Sequence, residues 1–127
     1  MENRHKFRAI KDDMSDCKFY YGDLVYDAIG VPRITHVDKS GQGLTFHTCL
    51  KGTEGKSTLF TDKNGTEIFE GDQLDSELNK KCVVCWCEKT GSWRLDHSYG
   101  QAKTYSSPLY RELELFEYEI TGNIYQK

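Results

Sequence analysis

Short apolar runs that alternate with polar residues recur about every ten residues along this chain. They are rich in Val, Ile, Tyr, Phe and Trp, and clusters of Gly, Asn and Asp separate them, which is typical of β-strands joined by tight turns. Helical periodicity is scarce. The pattern predicts strands at Lys6–Ile10, Phe19–Tyr26, Arg33–Val37, Leu44–Leu50, Thr58–Thr61, Thr66–Glu70, Lys81–Glu88, Ser92–Asp96 and Phe116–Ile120.

Two of the connections have the composition of hairpin turns. Asn64 and Gly65 separate two runs of strand formers, and both residue types tolerate positive φ, so we expect a type I′ turn there. A second hairpin is predicted around Lys89-Thr90-Gly91. Its strands would place Trp86 and Trp93 opposite each other.

Other segments are less regular. We expect a loop from His97 to Ser107, and a loop or a single helical turn from Ser76 to Lys80, while Pro108–Phe116 fits both a helical face and strand alternation. The glycine-containing stretch Lys51–Ser57 is the best candidate for a domain boundary. The chain is therefore divided into residues 1–58 and residues 59–127.

One pattern occurs twice. Tyr20–Val25 and Phe69–Leu74 both read aromatic-x-Gly-Asp-x-aliphatic, 49 residues apart. A duplicated half would explain the pattern, but turn chemistry shared by the two segments explains it more simply. In that interpretation the glycine permits a bend and the aspartate caps backbone N–H groups, so Gly71 and Asp72 are expected at a structural turn.

The central and terminal segments resemble the YopX family of phage and prophage proteins. The resemblance rests on Phe60–Asp72, on the C-terminal Tyr118–Tyr125, and more weakly on Lys6–Ala9 and Tyr21–Val25. It implies a mainly β fold with little helix, in which a β-rich N-terminal region precedes a C-terminal SH3-like small barrel. It also implies a phage or prophage origin, a place in the cytoplasm of a host bacterium, and compatibility with ring-like self-association. It carries over no catalytic residues.

Composition narrows the choice of function. The 127 residues are 37% hydrophobic and 29% charged, with a net charge of −3, so the overall positive charge that gathers nucleic acid or anionic lipid is missing. No window approaches the roughly 18 apolar residues of a membrane span, and we expect a soluble cytoplasmic protein with no membrane partner. Five cysteines without a secretion signal argue against a disulfide framework.

Candidate chemistry is sparse. Cys82, Cys85 and Cys87 suggest a metal site. On a strand, however, the Cys82 side chain faces away from the other two, so we favour the interpretation that these thiols pack in the core. A nucleophilic Cys or Ser would need a base such as His36, His47 or His97 beside it. The spacing of these residues along the sequence does not predict that any histidine lies next to such a nucleophile. We expect no enzyme, no cofactor and no metal.

Aromatic residues are the strongest functional signal. Eight tyrosines and two tryptophans exceed what a small barrel core can hold, which favours an interface in a homo-oligomer or with a phage or host protein. Exposed aromatics on a curved sheet could instead stack on bases, so nucleic-acid binding is the alternative. The predicted contact residues for either partner are Tyr20, Tyr26, Trp86, Trp93, Arg94 and Tyr99.

Overall fold

The structure, a computed structural model, describes residues 6–11, 18–37, 41, 43–97 and 106–125. This part of the chain is mainly β, as predicted, with one short helix. The elements are β1 Phe7–Ile10, β2 Phe19–Tyr26, β3 Pro32–Val37, β4 Leu44–Thr48, β5 Gly55–Thr61, β6 Glu67–Phe69, β7 Asp72–Asp75, β8 Cys82–Cys87, β9 Ser92–Asp96, β10 Ser106–Pro108, α1 Leu109–Leu115 and β11 Glu119–Asn123.

The chain forms two compact units, residues 1–57 and residues 58–127. In the first unit the strands are antiparallel in the order β4-β3-β2-β1, and β1 also pairs with residues 55 and 56 at the start of β5. From Thr58 onward β5 belongs to the second unit, where β6 is its outer neighbour. Ala9, Ile34 and Cys49 form its buried core. Phe7, Tyr20 and Leu24 pack against that core from one face of the sheet.

The second unit contains an antiparallel sheet in the order β10-β9-β8-β7-β11, and α1 packs against β9 and β10. Its core consists of Ile68, Leu74, Cys82, Val84, Leu95, Leu109 and Tyr118. The two outer strands, β10 and β11, do not pair with each other, so this sheet is open. The predicted SH3-like barrel, which requires closure, is therefore not confirmed.

The hairpin at Asn64-Gly65 is confirmed, but its turn is not type I′. Gly65 has a φ of 81°, whereas Asn64 does not have a positive φ. The Gly65 N–H donates to the Asp62 carbonyl at 3.0 Å, and the Asp62 side chain accepts from the amides of Asn64 and Thr66, each at 2.9 Å. Because the carboxylate satisfies those amides, the chain reverses with a single left-handed residue.

The two Gly-Asp segments have different structures. Gly71 has a φ of 89° in the turn between β6 and β7, and Asp72 accepts the Phe69 N–H at 2.8 Å. Gly22, in contrast, lies inside the continuous strand β2, opposite Phe7 of β1. The turn interpretation is thus right for the second segment and wrong for the first.

The C-terminal region required the largest correction. Residues 109–115 are helical because the face carrying Leu109 and Glu112 is buried, with Leu113 partly buried beside it. The strand expected at Phe116–Ile120 lies three residues later, as β11. Of the predicted loop His97–Ser107, residues 98–105 lie outside the described residues, and Ser106 begins β10. Residues 76–79 form a turn in which Ser76 N–H donates to the Asn79 carbonyl at 2.7 Å.

No helix within the described ranges is long and apolar enough to cross a membrane.

Candidate interaction surfaces

The predicted tryptophan pair is confirmed and borders an open cleft. Trp86 of β8 lies opposite Trp93 of β9, with ring centroids 5.0 Å apart and ring planes at 70°. This edge-to-face contact is a favourable arrangement of aromatic rings. The cleft has a volume of about 230 Å³ and is lined by Phe60, Trp86, Gly91, Ser92, Trp93 and Tyr110.

The cleft continues the core face of the sheet. Side chains alternate along a strand, so Trp86 shares a face with the buried Val84, and Trp93 shares one with the buried Leu95. Trp93 packs against the core, whereas Trp86 remains 41% exposed and Tyr110 58% exposed. None of the described lining residues carries a charge. The cleft therefore suits an apolar group better than a phosphate.

Two of the cleft residues were missed by sequence reasoning. Phe60 is contributed by β5 and Tyr110 by α1, and nothing in their local spacing relates them to the tryptophans. Leu59, next to Phe60, has a φ of 67° and is 60% exposed. A left-handed Leu is strained by about 1–2 kcal/mol, and such strain is concentrated at functional sites.

The other predicted contact residues are not part of this cleft. Tyr20 is partly buried in the first unit, where its ring stacks on His47. Tyr26 is exposed, and its hydroxyl donates to Glu54 at 2.9 Å. Arg94 reaches the Ser106 carbonyl at 3.0 Å and so joins β9 to β10. Tyr99 lies outside the described residues.

A second surface is the outer edge of β4. The Cys49 N–H donates to the Pro32 carbonyl, so the antiparallel alternation directs the amides of Thr45 and His47 toward β3. The same alternation turns the backbone groups of Leu44 and Phe46 outward, where no described strand pairs with them. Just beyond β4 the edge is covered, because Cys49 forms an antiparallel bridge with Lys11 and the Leu50 N–H donates to the Ile10 carbonyl at 2.8 Å.

The side chains of this edge are apolar and accessible. Leu44 is 63% exposed and Phe46 is 52% exposed. The strand from residue 44 to residue 48 contains no Asp, Glu, Lys or Arg, no proline and no glycine. An edge strand with these properties readily pairs with a further strand.

The remaining outer strands carry features that oppose such pairing. β6 and β10 have only three residues each, and β10 ends in Pro108, which has no N–H to donate. β11 carries the charged Glu119 and a register shift between Ile120 and Gly122. Short length, proline, charge and bulges are the usual protections of sheet edges. Among the described outer strands, β4 is the longest without a proline, a charged residue or a register shift, although the bridge between Lys11 and Cys49 covers the chain just after it.

A buried polar network joins α1 to the sheet of the second unit. The Cys82 sulfur lies 3.3 Å from His97 Nδ1, and His97 Nε2 lies 2.7 Å from the Ser107 hydroxyl and 3.4 Å from Glu112 Oε1. The Tyr118 hydroxyl donates to Glu112 at 2.8 Å. The structure thus assembles a cysteine, a histidine and a carboxylate that sequence spacing could not place together.

The environment of this network favours the neutral forms of Cys82 and Tyr118. Burial, with smaller contributions from nearby carboxylates, raises the pKa of the Cys82 thiol to about 11. Burial, together with the hydrogen bond to Glu112, also raises the pKa of Tyr118. Cys82 is only 1% exposed, whereas a catalytic cysteine needs a thiolate that a substrate can reach. The network is suited to holding α1 against the sheet.

The three cysteines of β8 are divided between its two faces, as strand alternation predicts. Cys82 belongs to the core, and Cys85 and Cys87 are partly exposed. Hydrogen bonds with Thr90 lower the pKa of the Cys87 thiol. Within the described ranges, no three His, Cys, Asp or Glu side chains are grouped so that they could hold a metal ion.

Fold and surfaces together define a small, mainly β protein of two units, with an accessible aromatic cleft and a sheet edge that no described strand covers at Leu44 and Phe46. The family model described as YopX protein matches residues 6–127. The chain therefore belongs to the YopX family, as its central and terminal motifs indicated. A comparison with curated proteins finds no match.

Proposed function

We propose that this protein is a non-enzymatic binding module that assembles with copies of itself by pairing β4 with β4 of a second copy. The observation that carries the proposal is the outer edge of β4, where the outward backbone groups of Leu44 and Phe46 pair with no described strand and their side chains are exposed. Strand addition at such an edge supplies main-chain hydrogen bonds and buries apolar side chains in one step.

The composition of β4 favours a second copy as the occupant. Two identical strands that pair antiparallel bring each side chain opposite another of the same set, and like charges would oppose pairing. Residues 44–48 contain no Asp, Glu, Lys or Arg, so pairing meets no such repulsion. Membership of the YopX family supports a phage or prophage origin, in which such an assembly would act in a host cell.

The proposal is tested by measuring the mass of the full chain in solution by light scattering. We expect a multimer for the native chain and a lower mass for Phe46→Lys, which places a charge on the edge. Ile29→Lys is the matched control, because Ile29 is an exposed apolar residue of the same unit outside the strands. Its mass should equal that of the native chain.

A second variant addresses the backbone directly. Phe46→Pro removes an outward N–H but no hydrogen bond to β3, so the unit should keep its circular dichroism spectrum and lose mass. A monomeric native chain, or multimers that survive both Phe46 variants, would overturn the proposal.

Nucleic-acid binding is the alternative, and the aromatic cleft is the observation that favours it. Rings such as Trp86 and Tyr110 could stack on bases, but the described lining residues include no Lys or Arg to follow the phosphates. Titration of labelled single-stranded and duplex oligonucleotides at low salt separates the two functions. Binding that weakens steeply with salt and is lost in Trp86→Ala would favour the alternative.

A further inference from the structure

The cleft beside the two tryptophans is bounded mainly by aromatic side chains. β5, β8, β9 and α1 each contribute one ring, namely Phe60, Trp86, Trp93 and Tyr110. All four residues belong to the second unit. The planes of the two indoles stand at 70° to each other, so these rings form a corner rather than a flat surface. A ligand in the cleft therefore meets aromatic rings from more than one direction.

The rings of this cleft are accessible. Phe60 is 37% exposed, and Trp86 and Tyr110 are more exposed still. Exposed apolar side chains that are grouped in one place, rather than scattered singly, mark binding sites. Leu59 has a left-handed backbone immediately before Phe60, so the chain is strained at the residue where β5 reaches the cleft. Exposure and strain thus coincide at the same place.

The electrostatics of the cleft favour a positive ligand. The face of an aromatic ring carries partial negative charge, so rings attract cations that lie over them. The described lining residues include no Lys or Arg, whose charge would repel a cation. The net charge of the whole chain is −3, which favours the approach of a cation over that of an anion. The cleft is complementary to a positive group that tolerates apolar surroundings.

The hydrogen-bonding capacity of the cleft selects among cations. A lysine ammonium has three N–H donors and an arginine guanidinium has five, and each donor that leaves water needs an acceptor. The described lining residues include no carboxylate, and the Ser92 hydroxyl is already hydrogen-bonded with that of Thr90 at 2.7 Å. A quaternary ammonium group has no N–H to satisfy, and aromatic cages are the sites that recognise it.

The size of the cleft limits the ligand further. Its volume of about 230 Å³ is below the roughly 300–1,000 Å³ of sites that enclose drug-sized molecules, so it holds one small group. A lipid headgroup would bring a phosphate next to its quaternary nitrogen. Phosphates are usually bound by Arg or Lys, and the described lining residues provide neither. These limits favour a small soluble molecule without a phosphate.

We propose that the aromatic cleft is a binding site for a small soluble molecule that carries a quaternary ammonium group. Cation–π attraction to Phe60, Trp86, Trp93 and Tyr110 holds the group, and its methyl substituents pack against the rings. The site lies in the second unit, whereas the β4 edge lies in the first. A failure of ligand binding would therefore leave the edge-pairing proposal intact, and the reverse also holds.

The experiment uses choline as the probe and the full chain as the protein. The chain has two tryptophans and both line the cleft, so a change in tryptophan fluorescence reports on the site itself. Isothermal titration supplies the affinity. The comparison ligand is the neutral isostere of choline, in which a carbon atom replaces the quaternary nitrogen. We expect choline to bind at one site about tenfold more tightly than the isostere, because only choline gains the cation–π attraction. Equal affinities would show that the cleft recognises apolar shape alone and would overturn the proposal.

Variants assign the binding to the rings. Tyr110→Ala and Trp86→Ala each remove an accessible ring and should weaken choline binding about fivefold or more, whereas Tyr110→Phe keeps the ring and should bind as the native chain does. Tyr26→Ala is the matched control, because Tyr26 is 55% exposed but belongs to the first unit. Far-UV circular dichroism checks that each variant is folded.

Three results would contradict the proposal. The first is the absence of choline binding to the native chain, and the second is native affinity in both alanine variants. The third is binding to vesicles of phosphatidylcholine without binding to free choline, which would assign the cleft to a lipid surface instead of a soluble molecule.

Discussion

Tyr20–Val25 and Phe69–Leu74 share an aromatic-x-Gly-Asp-x-aliphatic pattern, yet the chain passes through the first without turning and reverses at the second. In the first, Gly22 pairs with Phe7 in the continuous strand β2. In the second, Gly71 adopts a left-handed φ of 89° at the turn that leads into β7. One local pattern therefore occurs in two backbone conformations.

The glycines are needed for different physical reasons. At Gly22 the main requirement is space, because a Cβ built there would lie 2.5 Å from the carbonyl oxygen of Thr35 on the neighbouring strand, and the φ of 159° adds a smaller conformational cost. At Gly71 the requirement is conformation, since positive φ is costly for a residue with a side chain. The lesson is that a glycine in a sequence indicates a constraint without revealing which one.

The aspartates differ as well. Asp72 is 1% exposed and accepts the Phe69 N–H at 2.8 Å. Asp23 is exposed, and its carboxylate forms no hydrogen bond or ion pair with the described residues. The two segments have the same residue types at matching positions but different structural roles, and this difference argues against an internal duplication.

Gly22→Ala should have the largest effect on this comparison. The added methyl group meets the Thr35 carbonyl and lies 3.1 Å from Ile34 Cγ2, so β2 and β3 must separate to admit it. We expect the free energy of unfolding to fall by about 2–3 kcal/mol. Urea denaturation followed by far-UV circular dichroism measures the change.

Gly71→Ala is the control for that prediction. Its added Cβ would lie 3.1 Å from Tyr125 Cε2 and 3.4 Å from Ile124 Cγ1, both side-chain atoms that can shift. The remaining cost is the left-handed conformation, on the order of 1 kcal/mol. If the two glycine variants lose the same stability, then the close approach of β2 to β3 does not distinguish the segments.

Asp72→Ala should have the next largest effect. The substitution leaves the buried Phe69 N–H without its acceptor, and an unsatisfied buried donor costs about 1–3 kcal/mol. Both tryptophans, Trp86 and Trp93, lie in the same unit as Asp72, so fluorescence during urea denaturation reports on the correct unit. Asp72→Asn keeps an acceptor oxygen and should lose less. Native stability in the alanine variant would show that the cap is unimportant.

The features that sequence predicted correctly depend on local patterns. The hairpins around Gly65 and Gly91 were recognisable because turn residues separate two alternating runs. The Trp86–Trp93 pair followed from the second of them, since a short loop fixes the register of its strands. The turn type at Gly65 was wrong because the carboxylate of Asp62 replaces the second left-handed residue.

The features that sequence could not predict depend on contacts between distant segments. His36 meets His47 through the register of β3 and β4, and Cys82 meets His97 within the core. Closure of a sheet likewise depends on whether its outer strands meet, and the motifs of a family do not encode that geometry. The helix at residues 109–115 was ambiguous because its apolar positions fit two periodicities, and burial of its Leu109 face decides between them.

Asp23→Ala should have the smallest effect and gives the sharpest test of the asymmetry. Removal of an exposed carboxylate without a partner among the described residues deprives no backbone amide of an acceptor. We expect the free energy of unfolding to change by no more than about 0.5 kcal/mol, as is usual for surface substitutions. Urea denaturation followed by far-UV circular dichroism, run beside Gly22→Ala, places both measurements on one scale. A loss as large as that of Asp72→Ala would mean that Asp23 also caps the backbone and that the two segments are alike after all.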